Sequence, residues 1–193
     1  ALRWVMILHE KSESDLDPYF DQLLPSLMSN LSDPSDDVVR LNLLVMSTIA
    51  QKDHRFHFLV DTLVGLFRTD KQLLEKRGSL IIRQLSVHLN GEKIFRSIAT
   101  ILEKELDLEY ASVMVQALNF ILLTARELFN VRQNLKNLHT QENSELFTVL
   151  YRSWCHNPSA TLSLCLLACR YEHGAALISR FAEMEITVSF LVE

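Results

Sequence analysis

LLPSLMSNLSDPSDDVVRLNLLVMSTIA, the segment Leu23–Ala50, carries the clearest structural pattern in the chain. Apolar residues recur at spacings of three and four on both sides of a short polar segment, which is typical of two amphipathic helices. Asp33 and Ser35 are candidate caps for the second helix, and Pro34 suits a first helical turn. The segment therefore predicts an antiparallel helical hairpin.

Helical periodicity continues along the rest of the chain. Four glycines and four prolines leave little material for tight turns, and a hydrophobic fraction of 48% is enough for a core. The cap-and-proline signal recurs at Asp17-Pro18 and Asn157-Pro158, and Gly174 stands where a helix should stop or restart. The pattern predicts about ten helices with short connections. They are 1–11, 18–31, 35–51, 55–68, 71–89, 92–105, 108–130, 142–155, 158–172 and 174–184.

A repeat supports a serial arrangement of hairpins. Asp33, Asp70 and Asp107 are 37 residues apart, and each lies in a predicted linker between helices. Apolar positions recur at the same offset. They are Leu27, Val64 and Ile101, then Leu44, Ile81 and Leu118, then Leu43, Leu80 and Ala117. Three helical hairpins in series explain this pattern, and a nonrepetitive helical bundle is the alternative.

The helix faces differ in a way that favours stacking. The apolar residues of Glu92–Glu105 form one stripe, as in an outer, half-exposed helix. Ser112–Thr124, SVMVQALNFILLT, is apolar almost all round and needs partners on several sides. Alternation of these two kinds of helix predicts an all-α fold, an α-solenoid of stacked antiparallel helical hairpins.

Charge and composition exclude several functions. The net charge is −5 and no window gathers five basic residues, so the signature of a nucleic-acid binder or of a polybasic lipid anchor is missing. No apolar run approaches the roughly 18 residues that span a bilayer. Three cysteines, an odd number, favour cytosolic thiols over a disulfide framework. All four glycines are isolated, which leaves no phosphate-binding loop, and we expect no cofactor.

Cys165, Cys169 and His173 lie four residues apart and would share one helix face. Eight residues of helix rise about 12 Å, whereas the ligands of one zinc ion lie within a few ångströms of each other. One helix cannot bring all three to one metal ion, although two of them could meet Cys155 or His156. We expect the cysteines instead to pack inward as small hydrophobic residues.

Two further sets of residues are weak candidates for a catalytic or metal-binding site. Cys155 and His156 point about 100° apart on a helix and cannot pair as nucleophile and base. His54, His57 and Asp61 share a helix face, which permits a surface metal site, but half-exposed histidines explain them equally. We therefore predict no catalytic and no metal-binding residues.

The segment around Trp154 is a candidate contact surface. Tyr151, Arg152 and Trp154 are residue types that anchor protein interfaces, and with His156 and Asn157 they form the predicted partner-binding set. The alternative is that Trp154 fills the core between two repeats. The two roles are compatible.

Two levels of resemblance sharpen these expectations. Leu23–Ala50 resembles a HEAT repeat, with Asp33 in its turn. Beyond it, four segments resemble the carboxy-terminal region of the ArPIKfyve scaffold family. They are GSLIIRQLSVHLN (78–90), IFRSIATIL (94–102), DLEYASVMVQALNFILLTARELF (107–129) and LFTVLYRSWCHNPSATLSLCLLA (146–168). The resemblance is good from about Leu73 to Glu193 and looser before Ala50.

The resemblance implies a noncatalytic scaffold. It would bind a Sac-type phosphoinositide 5-phosphatase and the PIKfyve lipid kinase, self-associate, and support the synthesis and turnover of phosphatidylinositol 3,5-bisphosphate. Its location would be cytoplasmic and peripheral, on endosomal or vacuolar (lysosomal) membranes through its partners. The alternatives are a HEAT-like trafficking adaptor with other protein cargo and, less favoured, an enzyme with a cysteine or metal centre.

The resemblance also bears on the extent of the chain. We expect one helical-repeat segment of a larger protein, with HEAT-like hairpins over 1–140 and carboxy-terminal hairpins over 141–193. The region between Ala50 and Phe56 is short where family members can carry a long loop, so residues are expected to be missing there. The family continues beyond TVSFLVE, so this segment alone need not oligomerise.

Overall fold

The computed structural model describes residues 1–11 and 19–183, and within these ranges it contains helices and no strand. The predicted all-helical, solenoid-like fold class is confirmed. The predicted cap at Asp17-Pro18 lies outside the described residues. The α-helices are α1 Leu2–Lys11, α2 Phe20–Ser29, α3 Asp36–Ile49, α4 Asp53–Thr69, α5 Lys71–His88, α6 Gly91–Leu102, α7 Leu108–Thr124, α8 Phe129–Lys136, α9 Gln141–Trp154, α10 Pro158–Leu167 and α11 Tyr171–Ala182. Short 3-10 turns occupy Asn30–Ser32 and Arg126–Leu128.

The chain divides into two compact units, residues 1–98 and 99–193. In the first unit α3 packs against α1, α2 and α5, and α4 packs against α2 and α5. Its core is formed by the apolar faces of these helices, with Leu31, Val39, Leu43 and Phe67 fully buried. The predicted hairpin of helices on either side of residue 33 is therefore present.

The turn of this hairpin is held by polar contacts from neighbouring helices. Ser35, and not Asp33, occupies the position before α3, and the Asp33 carboxylate accepts a hydrogen bond from Ser35 N at 2.8 Å. Arg77 of α5 pairs with the Asp36 carboxylate and donates to the carbonyl oxygen of Asp33 at 2.9 Å. Asn42 Nδ2 donates to the carbonyl oxygen of Leu27 at 2.7 Å.

The other two aspartates of the 37-residue repeat act as helix caps. The Asp70 side chain accepts a hydrogen bond from Leu73 N at 2.9 Å at the start of α5. The Asp107 side chain accepts one from Tyr110 N at 3.0 Å at the start of α7. All three aspartates lie between helices, as the repeat predicts.

The predicted helix 108–130 is wrong only at its carboxy-terminal end. The helix ends at Thr124, Ala125 is extended, and the chain continues through the turn Arg126–Leu128 into α8. Arg132 of α8 stabilises the break, because its guanidinium donates to the carbonyl oxygens of Leu122 and Ala125 at 2.8 and 2.6 Å. An arginine that caps a helix from seven to ten residues later, in the next helix, is not among the usual stop signals, which lie at the helix end itself.

The predicted boundary at Gly174 is also wrong. α10 ends at Leu167, and Cys169 takes the left-handed conformation with φ 55°. Arg170 N then donates to the carbonyl oxygen of Cys165 at 2.8 Å, the closure expected of a Schellman turn. Gly174 lies inside α11 and is buried. The left-handed position is filled by cysteine and not by glycine, and Gly174, five residues later, is a false stop signal.

The second unit is organised around α7. This helix packs against α8, α9 and α10, and Met114, Val115, Leu118 and Leu122 are fully buried. Within the described ranges no single helix combines the length and apolarity needed to cross a bilayer; α7 and the segment Arg126–Lys136 do so only together, across an 83° bend.

Candidate functional site

The predicted contact set lies at the corner between α9 and α10. Asn157 caps α10, since its Oδ1 accepts a hydrogen bond from Ala160 N at 2.8 Å, and Pro158 is the first helical residue. The cap-and-proline signal read from the sequence is confirmed at this position. Thr161 Oγ1 donates to the carbonyl oxygen of Trp154 at 2.6 Å and so ties the two helices across the corner.

Trp154 fills the core of the second unit. It is 0% exposed, and it is the largest of the fully buried side chains in the part of the chain that the structure describes. Its indole Nε1 donates to Asn119 Oδ1 of α7 at 3.2 Å. A buried indole usually finds such an acceptor, and here the acceptor links the end of α9 to the middle of α7.

His156 and Asn157 attach the corner to two earlier positions of the second unit. The His156 ring lies with Nε2 at 2.9 Å from the carbonyl oxygen of Leu102, at the last residue of α6. Asn157 Nδ2 donates to Ser112 Oγ of α7 at 3.2 Å, and Asn157 is buried. These two residues therefore tie the corner to Leu102 and to the first turns of α7.

Tyr151 and Arg152 lie toward the surface. The Tyr151 hydroxyl is 2.7 Å from His173 Nε2 of α11, and its ring lies 5.6 Å from the Phe147 ring between centroids. Partial burial, with smaller contributions from Cys155 and Cys165, raises the pKa of Tyr151 above its ordinary value. Arg152 is exposed and pairs with Glu103 at 3.6 Å.

The five predicted residues thus differ in exposure. Arg152 is exposed, Tyr151 and His156 are half-buried, and Trp154 and Asn157 are buried. Direct contact with a partner stays a prediction for all five. Ser112 and Asn119, which hold the corner, were missed by sequence reasoning. Their signal is their spacing, because two polar residues seven apart share one face of a largely apolar helix.

The three cysteines also differ in their exposure to solvent. Cys165 is buried, as predicted, but Cys169 lies exposed after the end of α10, and Cys155 is exposed at the corner. The prediction that the cysteines of this helix pack inward is therefore wrong for Cys169. Burial raises the pKa of both the Cys155 and the Cys165 thiol, and a hydrogen bond with Tyr151 offsets part of the effect at Cys155. Activated cysteine nucleophiles have a lowered pKa, so the shift is opposite to that required for this chemistry.

The candidate metal-binding residues can also be located in the structure. Nowhere in residues 1–11 and 19–183 do three or more His, Cys, Asp or Glu side chains come together in a group that could hold a metal ion. His54 and His57 are exposed on α4, and the neighbouring Phe56 ring is buried and lies under the Lys93 ammonium group.

Thiol labelling should distinguish the three cysteines. In the folded chain we expect Cys155 and Cys169 to react with an aromatic disulfide reagent, and Cys165 to react at least about tenfold more slowly because labelling requires local opening. A stopped-flow trace in buffer, compared with one in denaturant, measures this difference. Cys165→Ser is the control and should remove only the slow phase; three equal rates would contradict the buried position of Cys165.

Comparison with known proteins agrees with the carboxy-terminal region indicated by the sequence. Residues 71–193 match the family described as vacuolar protein 14 C-terminal Fig4p binding. The matched residues include α5 to α11, and therefore the whole corner.

Relatives match along the whole chain. The chain is 45% identical to the Protein VAC14 homolog of Arabidopsis thaliana and 42% identical to that of Schizosaccharomyces pombe. It is 27% identical to vacuole morphology and inheritance protein 14 of Saccharomyces cerevisiae. Each match covers 100% of this chain but 26%, 24% and 22% of the respective relative, so the chain spans about a quarter of their length. No solved structure matches the chain.

Proposed function

This chain belongs to the family of vacuolar protein 14 C-terminal Fig4p-binding regions, and we propose that it is a noncatalytic scaffold that binds a Sac-type phosphoinositide 5-phosphatase. The observation that carries the proposal is the family match over residues 71–193, which includes α7, α8 and α11, the helices that pack against α9 or α10 in the described part of the chain. The raised thiol pKa at Cys155 and Cys165 agrees with a role that is not catalytic.

In the longer protein the scaffold would act by colocalisation. Holding the phosphatase and the PIKfyve lipid kinase in one assembly raises the effective concentration of each near the other without any new chemistry. Such an assembly would support both the synthesis and the turnover of phosphatidylinositol 3,5-bisphosphate. Self-association of the longer protein, and its peripheral location on endosomal or vacuolar membranes through partners, belong to the same proposal.

The five corner residues would contribute in two ways. Arg152 is exposed and Tyr151 is half-buried, and both are residue types found at the centres of protein interfaces, so they would touch the phosphatase directly. Trp154, His156 and Asn157 would act through the positions of the helices that they join. The first group can be tested separately because its members are not core residues.

Binding of purified phosphatase to the purified full-length scaffold tests both parts of the proposal. Arg152→Ala should raise the dissociation constant about tenfold, as for an interface arginine. It should change the free energy of unfolding by less than about 1 kcal/mol, because the ion pair with Glu103 is exposed. Arg170→Ala, at an exposed arginine before α11, is the matched control.

The outcomes separate cleanly. A wild-type scaffold that does not bind the phosphatase, but copurifies with other protein cargo, would replace the proposed function with that of a trafficking adaptor. Equal effects of the two arginine variants would leave the scaffold function standing and remove Arg152 from the contact.

A further inference from the structure

One face of α7 has no partner in the described chain. Residues 110–125 contain no charged side chain, and the buried face of the helix packs on α8, α9 and α10. The opposite face exposes Val113 by 44%, Phe120 by 63% and Leu123 by 43%. These three residues, with the exposed Gln116, are called the α7 strip below.

The strip is continuous along the helix. Positions 113, 116, 120 and 123 follow the three- and four-residue spacing that places side chains on one face. Solvent-facing helix surfaces usually carry charged residues, whereas a contiguous apolar surface marks an interaction site. The sequence predicts that other helices pack on several sides of this helix, whereas the helices of the second unit leave the face with Val113, Phe120 and Leu123 exposed.

The α9–α10 corner sets the direction in which the strip points. Ser112 and Asn119, two turns apart, bond to Asn157 and Trp154 respectively. Each anchor residue immediately precedes a strip residue, Val113 or Phe120, and one residue advances a helix by about 100°. Val113 and Phe120 therefore lie about 100° around α7 from the residues that bond the corner, and the buried Trp154 and Asn157 fix their orientation.

We propose that the phosphatase docks an apolar surface on the α7 strip, an inference that rests on the proposed scaffold function. α7 lies wholly within the matched residues 71–193. Glu105, Asp107 and Glu109 lie at the amino-terminal end of the strip, so the surface combines an apolar centre with an acidic end. An apolar partner surface with a basic rim complements it, whereas the anionic cytoplasmic leaflet of a membrane would be repelled.

Single substitutions on the strip test this assignment in the full-length scaffold with purified phosphatase. Phe120→Ser, Val113→Ser and Leu123→Ser should each weaken binding, with the dissociation constant rising about tenfold or more for Phe120→Ser. Phe58→Ser is the matched control, because Phe58 is 46% exposed on α4 and lies outside the matched residues. Its dissociation constant should stay within about twofold of wild type, as for a residue outside the interface.

Melting temperature, light scattering and flotation with phosphatidylserine vesicles accompany each binding measurement. Weakened phosphatase binding at an unchanged melting temperature and unchanged oligomer mass supports the assignment. Wild-type binding with unaffected strip variants overturns it and leaves the scaffold function intact, whereas a wild type that does not bind overturns both. A changed oligomer mass with normal phosphatase binding assigns the strip to a second copy, and changed vesicle binding assigns it to lipid. Loss of folding in all three variants would show that the strip is not a surface.

Discussion

Trp154→Ala is expected to lower the free energy of unfolding by about 3–5 kcal/mol, the range for removal of a large buried aromatic side chain. Trp154 is 0% exposed, so the substitution leaves a cavity beneath α7 and α10. It also removes the indole donor that bonds Asn119 Oδ1. Urea unfolding followed by circular dichroism measures the change.

The second tryptophan of the chain provides a matched control. Trp4 is 67% exposed on α1, so Trp4→Ala should change the free energy of unfolding by less than about 0.5 kcal/mol. Trp154→Phe should fall between the two alanine variants, since it keeps most of the ring volume but loses the donor. Similar unfolding curves for Trp154→Ala and Trp4→Ala would show that Trp154 does not support the core.

Hairpin architecture was readable from the sequence because its signals are local. Apolar spacing reports the buried faces, and Asp70, Asp107 and Asn157 cap helices through contacts three residues away. Both boundary errors have a nonlocal or unusual cause. Arg132 closes the end of α7 from a later helix, and Cys169 takes a left-handed conformation in which glycine is the usual residue.

At the candidate site as well, local features were predictable from the sequence, whereas those that depend on packing were not. The composition of the corner pointed to Tyr151 and Trp154, but composition cannot separate an exposed aromatic residue from a buried one. Burial depends on which helices pack together, and the partners of Trp154 and Asn157 lie 35 and 45 residues earlier in the chain. Sequence reasoning found that the helix 112–124 needs several partners, yet only the packing of the second unit shows which face is left exposed.

Asn157→Ala is expected to lower the free energy of unfolding by about 2–4 kcal/mol. Loss of an N-cap costs about 1 kcal/mol, and up to about 2 kcal/mol in some proteins. Asn157 is buried, so water cannot replace the acceptor that Ala160 N loses, which places the cap near the upper value. Loss of the hydrogen bond to Ser112 adds about 0.5–1.5 kcal/mol. Differences in urea midpoint at a constant m-value measure the effect.

An exposed asparagine in the same role isolates the contribution of burial. Asn90 precedes α6, and its Oδ1 accepts a hydrogen bond from Lys93 N at 3.2 Å in an exposed position. Water can replace that acceptor, so Asn90→Ala should cost only about 0.5–1 kcal/mol. Asn157→Ser keeps a capping oxygen without the donor to Ser112, and should recover about 1 kcal/mol of the loss. If Asn157→Ala costs no more than Asn90→Ala, the bond from the corner to α7 adds no stability, and Asn157 cannot hold α7 in the orientation that exposes the strip.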